Sequence, residues 1–298
     1  MSASPDIDRA ADFVWLSARL VDRHRFAHLF RGGDADAVHA ALRPYRNPDG
    51  GFGNALEPDV RAPSSQPGAV AVALRILEEI GRLDGPMASD TLSYLETITG
   101  PDGGVPFMLP SGLDYPRAPW WQTDDDPPSS LLMTANLVVP LLRADFQHPW
   151  IERATGFCWA AIDALDFTST YSALFAVAFL DQSPDRERAG AELSRIGPRL
   201  LESGLVALDP ETTGDVHTPL DFTPRPDLPS RALWDDEVIE RHLDALEDGQ
   251  QADGGWTFSW EAWAPMVEAE WRGFVTVESL TTLRDYGRLD GRTISLAI

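Results

Sequence analysis

The sequence predicts an all-α protein built from repeated pairs of helices. Three observations support this fold class: apolar residues recur at helical spacing along most of the chain, no series of alternating strand patterns appears, and an Asp-Gly-Gly triplet occurs three times. Helix pairs that cannot bury their apolar faces alone must stack on one another. A set of them can close into a ring or curve as a solenoid.

Each predicted helix rests on its apolar spacing. In the stretch 236–249, one face is formed at positions i, i+3, i+4 and i+7 by Ile239, His242, Leu243 and Leu246. The helix predicted from residue 184 has a recognisable start: Ser183 is a predicted N-cap, Pro184 suits the first turn, and the helix dipole stabilises the negative charge of Asp185. The predicted helices are 8–30, 35–45, 68–83, 87–98, 129–144, 149–164, 169–182, 184–203, 236–249 and 275–287.

The Asp-Gly-Gly triplets are predicted to be turns between helices. Asp102 lies 53 residues after Asp49, and Asp253 lies 151 residues after Asp102, which is close to three times the first interval. This spacing predicts a repeat of about fifty residues with two degenerate units, one of them near 202–208. The glycines allow a positive φ and the aspartate can accept backbone N–H groups, so a structural role explains the triplets.

Composition excludes several classes of function. The chain has 298 residues and a net charge of −23, and all of its 24 basic residues are arginine. It therefore lacks the basic surface that binds nucleic acid or anionic membranes, and it has no lysine for a Schiff base or a P-loop. Cys158 is the single cysteine, which suits a reducing compartment. The polar N-terminus and the short apolar runs predict a soluble cytoplasmic protein without an integral membrane segment.

The segment 250–256, Gln-Gln-Ala-Asp-Gly-Gly-Trp, resembles the QW repeats of squalene and oxidosqualene cyclases. The same helix–Asp-Gly-Gly–helix unit is found in the β-subunits of protein prenyltransferases. The resemblance covers about 36–287, and it implies a toroid of inner and outer helices around a central apolar cavity. We therefore expect one α/α-toroid domain over 1–298, with about five to six helix pairs and long aromatic loops at one end.

The families that share this toroid differ in their catalytic groups. Protein prenyltransferases and lanthionine cyclases bind zinc through cysteine and histidine, and Cys158 has no histidine nearby, so no metal site is expected. Class II terpene cyclases use an Asp-x-Asp-Asp motif, which Thr123-Asp124-Asp125-Asp126 matches in part, with threonine at the first position. The resemblance would make Asp125 the proton donor, between Asp124 and Asp126. An exposed loop before a helix explains the same residues equally well.

Four long connections, 52–67, 105–128, 204–230 and 256–274, are predicted to gather at one end of the ring, because alternate turns of stacked helix pairs share an end. They are rich in aromatic residues that can stabilise a cation or line an apolar pocket. The candidate substrate-binding residues are Phe107, Trp120, Trp121, Trp260, Trp263, Trp271 and Asp59. In the third connection, His217 is the best candidate base, with the Asp215 carboxylate close to it in sequence, and Asp221 is a further catalytic candidate.

These observations leave three functions open. The first is a terpene-cyclase-like isomerase or lyase that starts carbocation chemistry on an isoprenoid or similar apolar substrate by protonation. The second is a non-catalytic toroid that binds an apolar ligand or a protein partner. The third is a carbohydrate-active enzyme, because tryptophan platforms and paired acids also suit sugars. No cofactor is expected, except Mg²⁺ if the substrate carries a diphosphate.

Overall fold

A computed structural model describes residues 5–289, and these are helical apart from loops and isolated β-bridges. The all-α fold class is confirmed. Residues 1–4 and 290–298, which belong to the predicted domain 1–298, lie outside the described part. The helices are α1 Ile7–Ser17, α2 Leu20–Arg31, α3 Ala35–Leu42, α4 Pro67–Glu79, α5 Pro86–Ile98, α6 Leu131–Arg143, α7 Pro149–Asp163, α8 Thr170–Gln182, α9 Arg186–Glu202, α10 Pro219–Phe222, α11 Asp236–Asp248 and α12 Pro265–Asp285.

The helix predicted over 8–30 is two helices. Ala18 and Arg19 between them have extended backbone, with ψ of 160° and 154°. Arg19 then folds back, and its Nε donates to the Asp22 carboxylate in the first turn of α2 at 2.7 Å. The break was not predicted because the apolar spacing continues across it.

The predicted loop 256–274 is wrong in its second half, because α12 begins at Pro265. Pro265 is favourable in the first helical turn, where its missing N–H costs nothing. Trp271 therefore lies on a helix. Gly273, inside α12, gives Ala18 room to approach, since a Cβ on Gly273 would lie 2.6 Å from the Ala18 Cβ.

The chain divides into two compact units, which we call the central unit (42–196) and the terminal unit (1–41 and 197–298). In the central unit, α6 packs against α4, α7 and α8, and α5 packs against α4 and α7. Helix α6 is apolar around most of its surface and has the buried residues Met133, Leu137, Val138 and Leu141. It therefore forms the middle of that unit's core.

In the terminal unit, α12 is the central helix. It packs against α1, α2 and α11, while α10 packs against α11. A buried ion network joins α2 to α12, because fully buried Arg25 contacts the Asp22 carboxylate at 3.3 Å and the Glu278 carboxylate at 2.6 Å. Buried charges are tolerated only when they are paired in this way.

Five turns of the chain share one local geometry. A side-chain oxygen of the first residue accepts the N–H of the third residue, and the middle residue has a positive φ. These turns are Asp49-Gly50-Gly51, Asp102-Gly103-Gly104, Asp166-Phe167-Thr168, Ser203-Gly204-Leu205 and Asp253-Gly254-Gly255. The two degenerate units predicted between Asp102 and Asp253 are therefore present as turns.

The first two Asp-Gly-Gly turns each pack against the second helix that follows them in sequence, and the third packs against α1. A Cβ on Gly50 would lie 2.5 Å from the Asp90 carbonyl of α5, and one on Gly103 would lie 2.6 Å from the Arg153 carbonyl of α7. A Cβ on Gly254 would lie even closer to the Arg9 carbonyl of α1. Helix α1, from the start of the chain, therefore packs against the third turn as α5 and α7 pack against the first two.

The aspartates of these turns have structural partners. Asp49 accepts the hydroxyl of Ser65 at 2.8 Å, and Asp102 accepts the hydroxyl of Ser129 at 2.7 Å. Arg272 donates to both oxygens of Asp253 at 2.8 Å and thereby lowers the pKa of that carboxyl. All three carboxylates are used to hold the turns, which agrees with their predicted structural role.

Candidate functional site

The connections 52–67 and 105–128 lie side by side in the central unit. The hydrogen bonds that join them include Arg61 N–H to the Pro116 carbonyl (3.0 Å), Ala118 N–H to the Asp59 carbonyl (2.8 Å) and Leu109 N–H to the Gln66 side-chain oxygen (3.0 Å). Gln66 is buried, so it fixes the second loop from the base of α4. Of the four predicted loops, 52–67 and 105–128 are therefore bonded to each other and form one hydrogen-bonded cluster.

Two carboxylates are buried in this structure. Glu57 is 8% exposed and Asp59 is 5% exposed. The Glu57 Oε1 accepts the Asp59 N–H at 3.2 Å, so both groups belong to one tight turn. Both carboxyl groups also make further interactions in the fold. Buried carboxyl groups that share a turn are the usual setting for acid–base chemistry, because their environment decides which of them keeps a proton.

The backbone before Glu57 is strained. Asn54 and Ala55 both have positive φ, at 55° and 62°. Asparagine adopts this conformation fairly readily, whereas alanine rarely does. The Asn54 N–H donates to the Ala62 carbonyl at 2.9 Å, which closes the loop around the carboxylates. Strain of about 1–3 kcal/mol per residue persists only where the surroundings enforce it, and it is concentrated at functional sites.

A stacked aromatic pair lies close to Glu57. The rings of Phe107 and Trp121 are 4.3 Å apart at an angle of 23°. Gly68, in the first turn of α4, leaves a space beside them: a Cβ there would lie 2.7 Å from the Trp121 ring and 3.4 Å from the Glu57 Cγ. The edge of the Trp121 ring and the Glu57 side chain therefore both border the space that a side chain at position 68 would fill.

Arg117 holds the loop that carries Trp121. Its guanidinium donates to the Trp121 carbonyl at 2.8 Å, to the Leu113 carbonyl at 2.8 Å and to the Gln122 side chain at 3.1 Å. Trp121 is thus buried in a defined position, whereas its neighbour Trp120 is 48% exposed. Of the two predicted tryptophans in this loop, the structure brings only Trp121 to the carboxylates.

The three aspartates of the partial cyclase motif are in a different environment. Asp124, Asp125 and Asp126 are all exposed, and Thr123 uses its hydroxyl to bind the Met108 carbonyl at 3.0 Å. A proton donor at pH 7 needs an environment that keeps a carboxylic acid neutral, and exposure to water provides none. Their catalytic role stays a prediction, without the enclosure on which it depended.

The aromatic residues of the terminal unit form a row. Phe258 stacks on Trp260 at 4.4 Å, Trp260 meets Trp271 edge-on at 5.3 Å, and Trp271 meets Phe274 at 5.5 Å. The Arg25 guanidinium lies 5.1 Å above the Phe274 ring and ends the row. Trp260, Trp263 and Trp271 are half-buried, so part of each indole is accessible.

His217 lies close to Asp221, and Asp221 has a structural function. The Nδ1 of His217 is 3.9 Å from the Asp221 carboxylate. That carboxylate accepts the Thr218 N–H at 2.6 Å and the Thr218 hydroxyl at 3.0 Å, which caps α10. The connections 204–230 and 256–264 meet here, since the Ser259 hydroxyl donates to the Val216 carbonyl at 3.4 Å.

His242 is a polar residue that sequence reasoning assigned only to an apolar helix face. It is 3% exposed, and its Nε2 makes no hydrogen bond with the residues that the structure describes. Burial lowers the pKa of His242, and the Leu208 carbonyl opposes that shift. Its position beside Ile239 and Leu243 was the only available signal.

Residues 5–289 contain no group of three His, Cys, Asp or Glu side chains that could hold a metal ion. No helix in this range is long and apolar enough to cross a membrane.

Comparisons with known proteins agree with this architecture. No family model matches the chain, and no curated protein matches it. A crystal structure of a protein from Actinoplanes matches with a TM-score of 0.62 and 18% identity, covering 94% of this chain and 98% of the other. The type II terpene cyclase MstE from Scytonema matches with a TM-score of 0.55 and 11% identity, covering 94% and 88%.

A variant of the same cyclase in complex with its substrate, geranylgeranyl dihydroxybenzoate, matches with a TM-score of 0.52 and 11% identity, covering 94% of this chain and 87% of the other. At such identity the likeness shows a common fold, consistent with the predicted all-α toroid class. A shared fold does not by itself determine the reaction.

Proposed function

We propose that this chain is a terpene-cyclase-like enzyme that starts carbocation chemistry on a prenylated apolar substrate by protonating an alkene. The observation that carries the proposal is the buried turn with Glu57 and Asp59, whose Glu57 side chain borders the same space beside Gly68 as Trp121, the ring on which Phe107 stacks. The fold shared with MstE supports it, because that protein is a type II terpene cyclase with a geranylgeranylated substrate.

The proposed step needs an acid, an aromatic wall and no water. A carboxylic acid donates its O–H proton to one alkene carbon, and the alkene's electron pair forms the new C–H bond. The cation on the other carbon is attacked by the next alkene, which closes a ring. Loss of a different proton ends the sequence and gives an isomer of the substrate. Aromatic faces such as those of Phe107 and Trp121 stabilise the cation, most strongly when desolvated.

The proposal places the acid in the pair Glu57 and Asp59 and not at Asp125. Two carboxyl groups in one buried turn can share a proton, whereas an exposed carboxylate gains nothing by keeping one. Asp59, predicted from the sequence as a substrate contact, thus becomes part of the acid. Asp124, Asp125 and Asp126 are left as surface residues in this account.

Other predicted residues are secondary candidates. Trp260, Trp263 and Trp271 supply accessible aromatic area in the terminal unit. The role of His217 as a base stays a prediction from the sequence. The protonation mechanism requires no cofactor. Mg²⁺ enters only if the substrate carries a diphosphate, whose charge it would offset.

The first experiment incubates the protein with geranylgeranyl dihydroxybenzoate and other prenylated substrates and identifies products by mass spectrometry. We expect Glu57→Gln or Asp59→Asn, or both, to lower turnover by about 10²-fold or more, because general acid catalysis is lost. Asp125→Asn is the matched control, with the same chemical change at an exposed carboxylate, and it should retain activity.

Folding of each variant is checked by circular dichroism and thermal unfolding, because Glu57 and Asp59 are buried. A folded Glu57→Gln, Asp59→Asn double variant with full turnover would refute the acid assignment, as would an inactive Asp125→Asn variant. Saturable binding of the prenylated substrates without turnover would instead support the non-catalytic alternative.

A further inference from the structure

An open depression of about 290 Å³ lies on the central unit, and neither Glu57 nor Asp59 lines it. Its lining residues are Arg43, Arg46, Asn47, Pro48 and Met87. Arg43 begins the 3-10 turn that follows α3, and Met87 lies in the first turn of α5. Two arginines therefore face one small space in a chain whose net charge is −23.

The charge of Arg43 is not compensated within the described structure. Its side chain is exposed, and its guanidinium makes no hydrogen bond, ion pair or ring contact with any of the residues 5–289. The other arginines in this range all have such a partner, in a protein with almost twice as many acids as arginines. Arg43 is the exception, and it borders a depression.

Arg46 has unused hydrogen-bonding capacity at the same place. Its Nη2 pairs with the Asp90 carboxylate. Its Nε is buried and has no acceptor among the described residues. A buried donor on a charged group that lacks an acceptor costs free energy. Arg46, which lines the depression, therefore carries a donor that no acceptor of the described residues uses.

We propose that Arg43 and Arg46 form a binding site for a single oxyanion, of the phosphate-monoester or carboxylate type. Guanidinium groups bind such oxygens through paired N–H donors. Asp90 neutralises one of the two positive charges, so the site carries a net charge close to +1 and favours one anionic group over a polyphosphate. Asn47 adds no donor, because its amide already binds the Pro63 carbonyl at 2.9 Å and the Ser65 hydroxyl at 3.0 Å.

The rest of the depression suits an organic group attached to the anion. Its volume exceeds that of a bare phosphate, and Pro48 and Met87 provide apolar surface. The ligand class is therefore a small organic phosphate or carboxylate. This site is independent of the proposed cyclase chemistry, and neither inference depends on the other.

The test is a titration of the full chain at low salt with inorganic phosphate, with acetate and with sodium chloride at matched ionic strength. Binding is followed through the arginine Nε–Hε signals in ¹H–¹⁵N spectra. We expect saturable shifts at Arg43 and Arg46 with phosphate or acetate, and none with chloride. The oxyanion that binds more tightly shows whether the site prefers a phosphate or a carboxylate.

Three variants make the test specific. Arg43→Gln should weaken binding by at least about 10-fold, since one charged donor set is lost. Arg46→Lys keeps the charge beside Asp90 but removes Nε, and it should weaken binding by a smaller factor without loss of stability. Arg153→Gln is the control: it makes the same change of net charge at a surface ion pair with Glu96, and it should leave binding unchanged.

Equal shifts with chloride and phosphate would overturn the proposal. So would a loss of affinity in Arg153→Gln as large as that in Arg43→Gln, because binding would then follow net charge alone. Arg43 has no side-chain partner, so its variant folds normally and the outcome is interpretable.

Discussion

Single glycines determine how closely the repeated turns approach their neighbouring helices. Gly204 and Gly254 both have positive φ, at 72° and 95°, in turns of the same geometry. They differ in their surroundings: a Cβ on Gly204 would meet nothing within 4 Å, whereas one on Gly254 would collide with the Arg9 backbone. Alanine substitutions at these two positions therefore distinguish the cost of backbone strain alone from the cost of strain plus steric overlap.

We predict that Gly204→Ala destabilises the protein by about 1–2 kcal/mol, which is the cost of placing an L-residue in the left-handed region. Gly254→Ala should cost about 3–5 kcal/mol, because α1 must also move away from the turn. Chemical denaturation of both variants measures the difference. Equal losses would mean that α1 does not pack against this turn.

The structural roles of some residues could be predicted from the sequence, and those of others could not. The Asp-Gly-Gly turns were predicted because only glycine serves positive φ without strain. Phe167 occupies the same position in a degenerate turn, with φ of 60°, and no sequence signal marks it. The burial of Glu57 and Asp59 and the exposure of Asp125 depend on how the loops 52–67 and 105–128 pack together. The local sequence of either loop does not predict this packing.

At the scale of helices, the last repeat is completed by the first helix of the chain. Gln250 connects them: its side chain accepts the Asp6 N–H at 2.8 Å and donates to the Asp6 carbonyl at 2.8 Å and to the Gly254 carbonyl at 2.9 Å. The first glutamine of the QW-like segment therefore holds the start of α1 against the turn before α12.

We predict that Gln250→Ala loosens α1 and lowers stability by about 1–3 kcal/mol, since three hydrogen bonds are lost. Hydrogen exchange of a peptide covering Ile7–Ser17 should become faster. Gln251→Ala is the matched control, because that side chain makes only a local bond to the Gly249 carbonyl. If exchange in α1 accelerates equally in both variants, Gln250 does not hold the helix.

Helix positions were predicted well where apolar spacing is regular, as in α4 to α8. Two boundary predictions were wrong. The break between α1 and α2 lies where Ala18 closely approaches Gly273, and a contact between segments more than 250 residues apart leaves no trace in local periodicity. Helix α12 starts earlier than predicted, at Pro265, a proline in the first helical turn.

At the scale of the whole molecule, the fold and the site were predictable to different degrees. The three Asp-Gly-Gly turns and an all-α architecture shared with a type II terpene cyclase follow from motifs that the sequence displays. The prediction of one domain over 1–298 stays a prediction. The candidate acid moved from Asp125 to Glu57 and Asp59 because a catalytic acid is defined by its surroundings, which only the structure describes.

The central claim is that a prenylated substrate is protonated by a buried carboxylic acid, and one measurement tests it most directly. Turnover of geranylgeranyl dihydroxybenzoate, or of whichever prenylated substrate reacts, is run in D₂O, and the product mass is determined. Carboxyl protons exchange with solvent, so initiation by Glu57 or Asp59 places one deuterium on carbon and raises the product mass by one unit. A cyclised product of unchanged mass, or no product from any prenylated substrate, would contradict the account.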